Sequence, residues 1–167
     1  MRIQNLVKFM PVKVFVMTVI ILSLLIVKIA IPDDINFEKG LLILNGEEYL
    51  LEIARSTKQR RHGLMFRDHL GKRQGMIFIY PRSGDHRIWM KNTLIPLTVI
   101  WLDENKKVMG LKILPPCTTG PCPSYGVSKP SKYILELNSG SHGLKPGLKI
   151  DGLSNILHEG GDTDTPL

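Results

Sequence analysis

Asn45-Gly46 interrupts two apolar runs in KGLLILNGEEYLLEIA, residues 39–54, and requires a tight antiparallel hairpin there. Both residue types tolerate positive φ, which a two-residue connection between right-twisted strands demands. Strands are therefore expected over 41–44 and 48–54. The same punctuation recurs downstream. Short apolar runs lie at 75–80 (GMIFIY), 86–90 (HRIWM), 97–102 (LTVIWL), 107–114 (KVMGLKIL) and 132–137 (KYILEL). Asp103-Glu104-Asn105 joins two of them in a second hairpin-like turn. Against these runs stands one helix signal: Ser56 as N-cap with Gln59 three residues on as its capping-box partner. It predicts a short helix over 57–61, stopped by Gly63. Many short strands with one short helix predict a single mainly-β domain, at the margin of α+β, closed as a barrel or roll.

The first 31 residues are of a different composition. Arg2, Lys8 and Lys13 precede VFVMTVIILSLLIV (14–27), and Asp33 and Asp34 follow it. Basic residues before an apolar run and acidic ones after it predict a cytoplasmic N-terminus with the rest of the chain across the membrane. The run is shorter than a full span, but Lys28 can snorkel, and residues 29–31 extend it. With Ala30 at the −1 position, Lys28 takes the −3 position in place of the small residue that cleavage needs, which favours an uncleaved anchor over a removed signal peptide. Residues 1–31 are thus expected to be a signal anchor in the inner membrane, with secretion after cleavage as the alternative. A linker at 32–39, an extracytoplasmic β-rich domain at 40–157 and a disordered tail at 158–167 would follow.

Placing the domain outside the cytoplasm makes Cys117 and Cys122 legible. Gly120 and Pro121 turn the chain between them, and an isolated pair in an oxidising compartment is expected to form a disulfide. Charge says less. The chain carries +7, with 22 basic and 15 acidic residues. Four of the basic residues precede Pro32, so the remainder is nearly balanced. No Arg-rich run stands out, and nucleic acid is not an expected partner. The five histidines fall in no metal-binding spacing, and no phosphate loop or nucleophile elbow is present. No metal and no cofactor are expected.

In order along the chain, RRHGLMFRDHL (60–70), GMIFIY, WMKNTLIPL (89–97), CPSY (122–125) and YILELNSG (133–140) closely resemble the exported bacterial and archaeal family catalogued as domain of unknown function 192. The resemblance runs from about Leu51 to Gly152 and implies a compact β-rich domain behind a signal sequence or anchor. It implies no activity, cofactor or catalytic residue. Two positions depart from the family pattern: Ile88 stands where an aromatic is usual, and Thr98 where an acid is usual.

Arg60, Arg67, Trp89, Lys91, Asn92, Thr93, Tyr125 and Glu136 are the candidate ligand-binding residues. Arg60 and Arg67 flank Leu64, Met65 and Phe66, which are expected to enter the core. The two arginines either bond chain-end carbonyls and acids such as Glu136, or clamp an anion. Strand alternation puts Trp89, Lys91 and Thr93 on one face and Met90 in the core, with the Asn92 amide closing an Asx turn. An aromatic beside a cation suits a sugar ring or an anionic chain. The expected function is a non-catalytic binding module for an envelope component or protein partner. One alternative is a hydrolase or transferase with Glu136 or Asp103 as acid/base and Arg60 or Arg67 holding an anion. The other is an assembly or stability factor without a small ligand.

Overall fold

The hairpin forms where Asn45-Gly46 requires it, with φ of 52° and 79° at the two turn residues. Strands β1 (Glu38–Leu44) and β2 (Glu47–Ala54) pair antiparallel from Glu38↔Ile53 to Leu44↔Glu47. The structure, a computed structural model, describes residues 16–17, 35–140 and 142–158. The expected membrane segment lies outside the described residues except for Val16 and Met17, and the expected tail at 158–167 does so except for His158, which closes the last helix instead. No helix among the described residues is long and apolar enough to cross a membrane.

Helix α1 (Thr57–His62) follows β2 with the capping box complete. Gln59 donates its backbone N–H to Ser56 Oγ at 3.2 Å, and Gln59 Oε1 accepts from the Ser56 N–H at 2.9 Å. Gly63 ends the helix at φ 52°, its N–H bonded to the Gln59 carbonyl. A Cβ there would meet the Phe78 ring at 3.3 Å, so conformation and space both require glycine.

The remaining elements are β3 (Gln74–Gly84), β4 (Ile88–Trp89), β5 (Leu97–Leu102), β6 (Val108–Leu114), β7 (Ser124–Tyr125), β8 (Ser131–Asn138), a 3-10 turn (Asp151–Leu153) and α2 (Ser154–His158). Six strands form one sheet in the order β1-β2-β3-β8-β5-β6, while β4 and β7 pair apart from it. All neighbours are antiparallel except β2 and β3, which run parallel through the α1 crossover.

The chain is mainly β with little helix, as expected, but the sheet is open. β1 and β6 each pair on one side only, so the expected barrel does not close. Layers covering both faces replace closure. On one face Leu51, Ile77, Ile100 and Leu135 pack beneath Ile150, Leu153 and Ile156 from the C-terminal turns. On the other face Met76, Phe78, Val99 and Ile134 pack beneath Leu64, Ile88 and Met90. All six residues of β5 are buried, the mark of a strand covered on both sides.

Cys117 and Cys122 form the expected disulfide, with Cα atoms 5.9 Å apart. The bond fixes more than its own loop. The Cys117 carbonyl accepts from Asn92 N at 2.9 Å, and the Cys117 N–H donates to the Thr93 carbonyl at 3.2 Å. The staple therefore clamps the 90–93 turn. Closing so short a loop contributes about 2 kcal/mol by chain entropy. The double substitution Cys117→Ser/Cys122→Ser should lower unfolding free energy by that amount in a urea titration. The Asn92 and Thr93 amides should then exchange faster with solvent.

Candidate functional site

Glu136 lies in the middle of the sheet. On β8 it alternates with Leu135 and Leu137, so its side chain projects from the opposite face. Its register partners are Met76 on β3 and Val99 on β5. The residue is 4% exposed, and its carboxyl has no hydrogen bond or ion pair with any described residue. Burial raises its pKa to about 8, so the acid is mostly protonated at neutral pH and presents an O–H donor beside an acceptor oxygen.

A cleft opens over this group. Its walls are the end of α1 with the following residues (60–65), Ile88 and Trp89 of β4, and Thr93. Its cavity volume of about 20 Å³ holds one water-sized group. Thr93 is 5% exposed, and its hydroxyl likewise has no partner among the described residues. Only Ser131 Oγ is both sealed from solvent and unpartnered among the described residues. The Glu136 and Thr93 oxygens thus retain a path to solvent, and both residues line the cleft. Two polar groups that no described side chain satisfies thus line one small space.

The WMKNT stretch supplies one wall through a turn. The Thr93 N–H bonds the Met90 carbonyl at 3.0 Å, with Asn92 at φ 56° in the position where a type II turn needs positive φ. That reversal separates the three residues expected on one face. Trp89 is 46% exposed with Lys91 Nζ 5.2 Å from its ring centroid, whereas Thr93 turns inward. Met90 is in the core as expected. Asn92 serves through its backbone, and the expected Asx turn of its amide is not formed among the described residues. Its carbonyl accepts from Phe66 N at 2.8 Å. Phe66, itself at φ 63°, is 64% exposed and does not enter the core as the sequence suggested. The left-handed turn at Phe66 directs its side chain away from the core that holds Leu64.

The arginines divide. Arg60 lines the cleft, but its guanidinium donates to the carbonyls of Arg55 and Ile79 and to Thr57 Oγ1, and it lies 5.1 Å from the Tyr80 ring centroid. Arg67 makes a two-point pair with Glu52 at 2.9 and 2.5 Å, away from the cleft. Neither pairs with Glu136. Tyr125, on β7 opposite Ile88, packs on the same core without lining the cleft. Asp103 is a turn former, its Oδ1 accepting from the N–H groups of Asn105 and Lys107. Both family departures find a place. Ile88 is part of the cleft wall. Thr98 alternates with Val99 to the opposite face, where its hydroxyl bonds the Gly140 backbone. Sequence reasoning missed Arg61, His62 and the 63–65 segment as cleft residues. Their signal was Gly63, which ends α1 directly over β3 and β8.

The fold and site define an open, mixed β-sheet domain with an unpartnered acid under a narrow cleft. The sequence pattern of domain of unknown function 192, described as "Uncharacterized ACR, COG1430", matches residues 41–152, and the chain belongs to that family. Among curated proteins none matches. Two crystal structures are similar. One is of a Sinorhizobium meliloti protein assigned provisionally as a transcription regulator, at 25% identity and TM-score 0.60 over 68% of this chain and 93% of that one. The other is of a Novosphingobium aromaticivorans protein of unknown function, at 27% identity and TM-score 0.57 over 70% and 86%.

Proposed function

We propose that this chain is a membrane-tethered extracytoplasmic binding domain that holds an envelope component in the Glu136 cleft. One observation carries this reading: a buried carboxyl and a buried hydroxyl, both without partners among the described residues, line the same small cleft. Both oxygens keep a path to solvent, so a ligand hydroxyl can take the place of water there. The Cys117–Cys122 bond supports an oxidising compartment, and residues 1–31 would provide the inner-membrane anchor or, if cleaved, a secretion signal. The transcription-regulator reading of the rhizobial protein gains little support from this chain. Its described helices, of six and five residues, are too short for a recognition helix.

A second reading has the raised pKa of Glu136 in its favour: a hydrolase or transferase in which it acts as general acid. Arg60 and Arg67 are committed elsewhere and Asp103 caps a turn, so that reading rests on Glu136 alone. The test is binding of the full chain to an envelope-glycan array, with Trp89→Ala and Glu136→Ala beside it. The binding domain predicts signals that both variants lose at least tenfold. Signals unchanged in both would end the proposal. Glu136→Gln separates the two readings, since it preserves hydrogen bonding and removes proton transfer. Retained capture with lost turnover would establish the enzyme.

A further inference from the structure

We infer that the ligand is an acidic glycan, with one ring hydroxyl inserted between Glu136 and Thr93, the sugar face on Trp89, and an anionic substituent facing Arg61 and Lys91. This inference rests on the binding reading above and adds the ligand's chemical class.

Size comes first. A space of about 20 Å³ admits one water-sized group, so the ligand inserts a single hydroxyl and keeps its body outside. Complementarity comes second. A neutral carboxyl and an alcohol each donate and accept, and an alcohol from the ligand satisfies both. An ammonium offers donors only and would have to approach past Arg60 and Arg61. Shape comes third. Trp89 stands at the cleft edge, half exposed, as a flat amphipathic surface of the kind on which pyranose faces stack.

Charge selects among sugars. Arg61 is exposed on the cleft wall and has no partner among the described residues. The Arg60 guanidinium adds a second positive charge to that wall, and Lys91, which does not line the cleft, lies over the ring of Trp89 at its edge. Glu136 is the only acid lining the cleft among the described residues, and it lies buried below the rim. The mouth is therefore positive over a neutral floor, which draws an anionic sugar and repels a cationic one. At an exposed rim the attraction is screened by salt.

The test uses two probes with one backbone: an oligogalacturonate tetramer and its fully methyl-esterified form, each titrated calorimetrically into the full chain. The acidic tetramer should bind at least tenfold more tightly at low ionic strength. That preference should shrink severalfold in 0.5 M NaCl, where the Debye length is below about 8 Å. Arg61→Ala/Lys91→Ala should reduce acidic-tetramer affinity to that of the ester, whereas Trp89→Ala should weaken both probes. Urea midpoints matching the parent chain would show that the variants fold. Equal affinity for both probes, with loss of both on Trp89→Ala, would overturn the acidic preference and leave the binding reading standing. Binding indifferent to Trp89→Ala and Glu136→Ala would overturn both. Absence of binding to either probe would overturn the acidic-glycan assignment.

Discussion

Glu136→Gln is expected to abolish most of the loss of stability that the native chain undergoes between pH 4.5 and about 8. The folded-state pKa lies above the ordinary value of 4.5, so the native state holds a proton that the unfolded chain has released. Stability from this group is complete below pH 4.5 and declines as pH rises through the window. The slope is about 1.4 kcal/mol per pH unit. Glutamine has nearly the shape of the protonated acid and does not titrate. Urea unfolding at one-unit steps from pH 5 to 9 should give native and variant curves that diverge as pH rises, the variant being more stable at the alkaline end. Parallel curves would show that the Glu136 carboxyl is not buried as described.

Gly75→Ala should be the most damaging small substitution in the sheet. A Cβ at this position would come 2.3 Å from the Glu136 carbonyl oxygen and 2.7 Å from Leu137 Cδ2. The first contact is with backbone, so relief requires β3 to move away from β8 and to break the pairing Gly75↔Leu137. Clashes of this kind in a packed sheet cost about 4 kcal/mol or more. The same displacement would move the acid on which the cleft depends. A urea midpoint little changed from that of the parent would contradict the packing of β3 on β8.

Local chemistry made part of this molecule legible. Asn45-Gly46, the Ser56–Gln59 box and Gly63 act within a few residues, and each element they specify is present. Pairing order is non-local, and nothing in KYILEL indicates that β8 slots between β3 and β5 or that β2 and β3 run parallel. An open sheet was therefore not readable from a pattern that a barrel would share. The site divides in the same way. Alternation in β8 puts Glu136 on the face opposite Leu135 and Leu137. Burial of that second face required the 63–65 segment and β4 to fold across it, and this the sequence does not announce. Thr93 left the face of Trp89 because a turn intervened, and strand periodicity holds only while the strand continues. Arg67 was a sound candidate for ion pairing, but its partner Glu52 lies 15 residues back on β2.

The central claim is that a buried, unpartnered carboxyl waits in the cleft. It is tested most directly by following the side-chain carboxyl carbon of Glu136 by NMR from pH 3 to 10. The account predicts a midpoint near 8, far above the ordinary 4.5. Saturation with the galacturonate tetramer should move it. A midpoint in the ordinary carboxylate range would contradict the account.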